Sequence, residues 1–216
     1  MPRMNPPQNV WQLIVLVLAV VAVVLVRMYG KSTPPRESEP SARTTPRAPK
    51  SEGRWERLAD CTLADDRTND GDSFALRCQG ETLIFRLYYA DSPEKYRHQH
   101  NGPRLAEQGA YFGGLNEEET IAAGVQAKEF ALGLLQKGPV TVETRWEPVY
   151  DSGRYYAFVK AGSQDLAEAL VSHGLARIYT KGVDRMDGTT NRVQRSRLVQ
   201  LEREAKVKRR GAWGAR

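Results

Sequence analysis

The pattern of apolar and polar positions divides the chain into three unequal parts. Val10 to Val26 is apolar almost without a break, interrupted only by Gln12 and edged by Trp11, which suits an interfacial anchor. A run of that length predicts a membrane-spanning helix at the short end of the range or the core of a secretory signal. The residues that follow, Arg27-Met28-Tyr29-Gly30-Lys31, offer no small-x-small cleavage site. An uncleaved signal anchor over residues 1–30 is therefore the first reading and a cleaved signal the second. Residues 31–53 are rich in Pro, Ser, Thr and Arg with almost no apolar positions, a composition that predicts a disordered linker. A globular domain is expected over residues 54–216.

Within that domain the periodicity alternates between two and nearly four. Arg57 to Asp65 reads as a strand with Ala59, Cys61 and Leu63 on one face. Asp72 to Cys78 alternates again, with Phe74, Leu76 and Cys78 inward, and the Gln79-Gly80 turn leads into a third strand over Glu81 to Tyr89. Ser92-Pro93 ends that strand, and Lys95 to Leu115 reads as a long irregular stretch. Asn116 with Glu119 three residues on is a capping-box pattern. It predicts a helix from Glu117 to about Gln136 that buries Ile121, Val125, Leu132 and Leu135 and stops at Gly138-Pro139. Pro139 to Trp146 and Tyr155 to Lys160 read as two more strands. A short helix near Asp165 to His173, an extended Leu175 to Tyr179 and a last helix over Thr190 to Arg210 complete the chain. The last helix has Val193, Leu198, Leu201 and Ala205 as its apolar side, and Trp213 is expected to dock back. Five strands with a helix between the third and fourth is the element order of an OB-type barrel in the α+β class.

Charge narrows the function classes. The formal net charge of +6 comes from the ends: +4 for residues 1–53, +7 for 192–216 and −5 for the core 54–191. A core with surplus carboxylates suits a cation site better than a broad polyanion groove. The positive-inside count, Arg3 against Arg27, Lys31 and Arg36, favours a cytoplasmic domain, whereas the cysteines favour the outside. Pairing Leu63 opposite Leu76 sets Cys61 opposite Cys78, where either a disulfide or two buried thiols would fit. The extracytoplasmic face is the reading adopted.

Three short signatures carry the chemistry: Asp70-Gly71-Asp72, Arg86-Leu87-Tyr88-Tyr89-Ala90-Asp91-Ser92-Pro93-Glu94, and Asp151-Ser152-Gly153-Arg154. They supply what metal-assisted cleavage of a phosphodiester requires. A hard cation takes carboxylate oxygens, an attacking water needs a base, and developing phosphoryl charge needs fixed donors. Each residue also has a plainer use: Asp72 as a turn cap, Glu94 as a helix cap, Arg154 as a partner of Asp151. Arg86 is the exception, because a charge in the middle of an otherwise apolar strand requires a reason. In a regular strand Arg86 and Asp91, five apart, point to opposite faces. A shared site therefore requires the chain to leave strand geometry around Tyr89-Ala90. His98-x-His100 and His173 read as ordinary histidines rather than a metal site, and the basic last helix reads as a solvated face.

From Arg57 to Trp213 the chain resembles the staphylococcal nuclease (thermonuclease) family. The resemblance rests on Asp70-Gly71-Asp72, the gapless Arg86 to Glu94 segment, Gly153-Arg154, His173-Gly174-Leu175-Ala176, and the ending Glu202-x-x-Ala205-Lys206 with Gly211-x-Trp213. It implies a five-stranded OB-fold barrel with three helices and calcium-dependent hydrolysis of DNA and RNA, preferably single-stranded, by a monomeric domain. Position by position it implies Asp72, Asp91 and the Ser92 carbonyl as Ca²⁺ ligands. It also implies Glu94 as the residue that positions or deprotonates the water, and Arg86 and Arg154 as the phosphate clamp. Two departures stand out. The family's Lys-Tyr before Gly-Arg is Asp151-Ser152 here, and an aromatic expected after Gly-Leu-Ala is Thr180, with Tyr179 the nearest candidate. Both concern the grip on the substrate. Tyr96, His98, Tyr111 and Phe112 in the longer 95–116 stretch are candidates for replacement stacking, with core packing the expected role of Tyr111 and Phe112. The alternative is a non-catalytic barrel of the same family that binds nucleic acid or protein.

Overall fold

Three hairpin-linked strands begin the fold: β1 (Glu56–Leu63), β2 (Ser73–Cys78) and β3 (Glu81–Leu87). The computed structural model describes residues 53–215, so the apolar run 10–26 and the linker up to residue 52 lie outside the described residues. Among the described residues no helix is long and apolar enough to cross a membrane. Two long strands follow the helical middle of the chain, β5 (Val140–Pro148) and β6 (Arg154–Ala161). The sheet runs β3-β2-β1-β5-β6, and a parallel pairing of β3 with β6 closes it into a five-stranded barrel of the OB type. Three two-residue strands complete the set: β4 (Ala90–Asp91), which pairs with β8 (Arg177–Ile178), and β7 (Gln164–Asp165), which extends β6.

Alternation decides what fills the barrel. Leu83, Phe85 and Leu87 point inward from β3, where they meet Phe74 and Leu76 of β2, Val140 and Val142 of β5, and Phe158 of β6. Leu63 lies opposite Leu76, and Cys61 and Cys78 are joined by a disulfide, which resolves the alternative left open above. In β1 the inward face differs from the alternation read from sequence. Asp60 adopts φ +54° at a bulge between Leu58 and Cys61, so Leu58 and Cys61 are buried while Ala59 is exposed. One extra residue resets the period of two.

Among the described residues the α-helices number four rather than three: α1 (Gly102–Tyr111), α2 (Glu117–Leu135), α3 (Leu166–Ser172) and α4 (Asn191–Val207). The addition is α1, inside the stretch expected to be irregular. Pro103 in its first turn has no N–H to leave unsatisfied, and Leu105 and Gln108 give it a buried side. The capping box at Asn116 and Glu119 is present, with both hydrogen bonds at 2.9 Å. α2 buries a different face from the one expected. Thr120, Ala123, Gly124, Ala127 and Ala131 face inward with Leu135, while Val125 is exposed. Small residues win that face because the partner is backbone: a Cβ on Gly124 would lie 2.5 Å from the carbonyl oxygens of both Pro93 and Glu94. α4 likewise buries Leu198, Ala205 and Gln194 but leaves Val193 exposed. Trp213 docks against Phe112 and Tyr111, which places both aromatics in packing rather than at a stacking rim.

Candidate active site

Barrel closure brings the two arginines together. In the parallel β3–β6 register Ile84 pairs with Arg154 and Arg86 with Tyr156. Arg86 lies two residues beyond Ile84, so both arginines project from the same outer face. The break anticipated around Tyr89-Ala90 is present. Strand β3 ends at Leu87, Tyr89 turns through φ +64°, and β4 restarts the ladder on a new partner, β8. That turn brings Asp91 back to Arg86, with which it forms an ion pair. Arg86, Asp91, Glu94 and Arg154 then line one cleft of about 550 Å³.

Asp72 and Ser92 are not part of the cleft lining and sit behind Arg86. The guanidinium bridges Asp91 and Asp72, meeting Asp72 Oδ1 at 2.8 Å, and the Ser92 N–H donates to Asp72 Oδ2 at 2.6 Å. Gly71 permits this approach, since a Cβ there would meet Ser92 Oγ at 2.5 Å. Burial pushes the Asp72 carboxyl up to about 6; Arg86 opposes the rise, and Asp91 and Asp70 add to it. Burial acts in the same direction on Asp91, yet Arg86, Arg104 and Arg177 together hold its carboxyl below the usual carboxylate range. Arg154 does not pair with Asp151. It donates to Ser152 Oγ at 3.1 Å and Ser73 Oγ at 3.3 Å, and has no carboxylate partner among the described residues. Burial, with Arg86 nearby, lowers its pKa, the condition of a cation placed to accept an anion.

Three residues of the site were not singled out from sequence. Arg104 of α1 donates to Glu94 and Asp91. Gln108, one turn on and fully buried, accepts from the Glu94 N–H at 2.9 Å. Its Nε2 donates to the Ser92 carbonyl at 3.0 Å and to Asp91 Oδ2 at 3.2 Å. Arg177 is the register partner of Asp91 in the β4–β8 pair and donates to Asp91 Oδ2 at 2.7 Å. The signal available was the spacing of Leu105, Gln108 and Phe112 after Pro103, a helical period that sets Arg104 and Gln108 on one face.

The rim differs from the Asp151-Ser152 position outward. Tyr150, 87% exposed, and Tyr179, stacked on Arg177 at 3.8 Å, flank the cleft together with Lys181. Tyr96 is exposed beside His98.

No group of three or more His, Cys, Asp or Glu side chains suited to a metal occurs among the described residues. Asp72 and Asp91 give carboxylate oxygens gathered around Arg86, and the Ser92 carbonyl beside them accepts from Gln108 Nε2.

No curated protein matches the chain. The family model described as staphylococcal nuclease homologue matches residues 84–215, from the middle of β3 to the last described residue. Asp72 lies outside that match, and its contacts with Arg86 and the Ser92 N–H set it beside the site. With its closed barrel and the conjunction of Arg86, Asp91, Glu94 and Arg154, the chain belongs to the staphylococcal nuclease homologue family.

Proposed function

We propose that the domain is a calcium-dependent endonuclease that hydrolyses phosphodiester bonds in DNA and RNA, acting on single-stranded or unstructured substrate. The observation that carries this reading is the cleft lined by Arg86, Arg104, Arg154, Asp91 and Glu94, formed by barrel closure on one side and the Tyr89 turn on the other.

The residues fit a hard cation in kind. Asp72 and Asp91 offer carboxylate oxygens on one guanidinium, and the Ser92 carbonyl, which accepts from Gln108 Nε2, is the oxygen donor next in sequence to Asp91. Asp72 also retains a burial cost that Arg86 does not cancel, as its raised pKa of about 6 indicates. Bound there, Ca²⁺ would polarise a phosphoryl oxygen. Glu94 takes the proton of the attacking water as the water oxygen bonds to phosphorus and the bond to the leaving oxygen breaks. Arg86 and Arg154 hold the phosphoryl oxygens, and their planar forks match the charge that develops there. Gln108 fixes the 91–94 segment against α1, so that Asp91, Ser92 and Glu94 move as one unit. Tyr150, Tyr179 and Lys181 occupy the rim that the altered Asp151-Ser152 leaves without a Lys-Tyr pair, and are suited to stack and steer bases.

The disulfide supports placement on the oxidising side of a membrane, with residues 1–30 as the tether and the domain acting as a monomer. Labelling, in intact cells, of a cysteine introduced at the exposed Val207 tests that placement.

Activity is tested with the full chain, single-stranded DNA, and calcium against chelator. Calcium-dependent cleavage that Glu94→Gln abolishes is the expected result. Binding without cleavage would instead establish the non-catalytic alternative.

A further inference from the structure

α1 brings to the cleft a charge that the proposed chemistry does not use. Arg104 donates from Nε to Glu94 Oε1 at 2.6 Å and from Nη2 to Asp91 Oδ1 at 2.6 Å. These are the carboxylates assigned above to the water and to the cation. Two other guanidiniums reach Asp91, and both are more enclosed than Arg104. Arg86 is mostly enclosed and bridges to Asp72. Arg177 is buried, set by strand register, paired with Glu107 and stacked on Tyr179. Arg104 is different: its side chain is 36% exposed, it stands near the start of a helix, and it lines the cleft. It can leave both carboxylates without unpairing Asp91, which keeps Arg86 and Arg177.

Charge decides when it leaves. Asp72, Asp91 and Glu94 face Arg86, Arg104, Arg154 and Arg177, so guanidiniums already outnumber these carboxylates. A divalent cation brought to Asp91 adds two positive charges to that set, and Arg104 is the one most easily expelled. A phosphodiester in the same cleft is an anion whose geometry suits a guanidinium fork. The residues just before Arg154, Asp151 and Ser152, bring no positive charge of their own to such an anion.

We propose that Arg104 is an internal counter-cation of this site: it occupies Asp91 and Glu94 in competition with the divalent cation and, once displaced, becomes a third guanidinium ligand of the substrate phosphate. The inference rests on the nuclease reading above. It makes cation and substrate assist each other, because each favours the displaced position of Arg104, and by linkage the assistance is reciprocal.

The test uses the full chain and Arg104→Gln, with calorimetric titration of calcium in the absence of nucleic acid. A nuclease-resistant phosphorothioate oligonucleotide is then titrated in saturating calcium. Losing the internal competitor tightens calcium binding by about tenfold or more, and losing the phosphate ligand weakens oligonucleotide binding by about tenfold. Arg104→Lys falls between. Opposite signs separate this role from a structural one, which would weaken both. Arg97→Gln, which removes an exposed pair with Glu117 on the neighbouring segment, leaves both affinities unchanged. Calcium binding that is unchanged or weaker in Arg104→Gln, or unchanged oligonucleotide affinity, overturns the inference while leaving the cation site standing. Calcium binding by the variant alone supports the inference. Calcium binding by neither chain overturns the site reading and the inference together.

Discussion

Replacing Asp72 with Asn probes the cost of keeping this buried carboxylate inside the fold. Asp72 is 2% exposed, and its carboxyl is pushed up to about 6 because burial outweighs its pairing with Arg86. Between about pH 4 and 6 the folded state therefore holds a proton that the unfolded state has released, and this group's contribution to stability is lost as pH rises through that window. The gap between the ordinary 3.8 and about 6 is worth, at ~1.4 kcal/mol per pH unit, about 3 kcal/mol at neutral pH and above. Asn keeps the size and an oxygen for the Ser92 N–H, and Arg86 keeps Asp91. The neutral variant should thus recover about 1–3 kcal/mol in metal-free protein, or several degrees in Tm for a chain of this size. Urea denaturation in chelator, at about pH 4, 6 and 8, measures it. The gain should be near zero at the lowest pH, rise through the middle and level off above it. With calcium the order narrows or reverses, because ligand stabilises only the chain that binds it. A variant less stable than wild type at the highest pH, or a gain that does not depend on pH, would refute the reasoning.

Gly124→Ala would ordinarily stabilise a helix by about 1 kcal/mol, but here the new methyl lies 2.5 Å from two carbonyl oxygens of the Pro93-Glu94 segment. A net loss of about 1–3 kcal/mol in urea denaturation is expected, with reduced turnover as Glu94 shifts; a more stable, fully active variant would count against α2 as the support of that loop. Reduction of the Cys61–Cys78 bond, which spans 17 residues, should cost about 3 kcal/mol through the opened loop. Thermal melts with and without reductant measure it, and coincident melts would mean that the bond contributes nothing to stability.

Sequence reading reached furthest where chemistry and local geometry coincide. The nine residues from Arg86 to Glu94 hold both an arginine and two carboxylates, and their odd spacing already required the break that Tyr89 makes. The hairpin register of β1 and β2 followed from apolar alternation, and the α2 start from its capping box. Alternation failed at Asp60, where a single left-handed residue inserts a bulge that β-propensity does not signal. α1 escaped because Gly, Pro and His around residues 98–103 read as loop, and only burial against the 91–94 segment makes Leu105 and Gln108 a face.

The sequence by itself determined the types and order of the charged groups of the candidate site, because an Asp, a Glu or an Arg carries its chemistry wherever it is placed. It also determined the order of the five barrel strands and of the three helices other than α1, because periodicity is local. The tertiary structure alone decided which groups meet. Strand closure aligned Arg86 with Arg154 across about 70 residues. Strand register gave Asp91 its buried partner Arg177. Helix packing delivered Arg104 and Gln108 to a loop they do not adjoin in sequence. The face that α2 buries was likewise decided by what lay against it, since a helix pressed on backbone carbonyls must present glycine and alanine rather than its largest side chains.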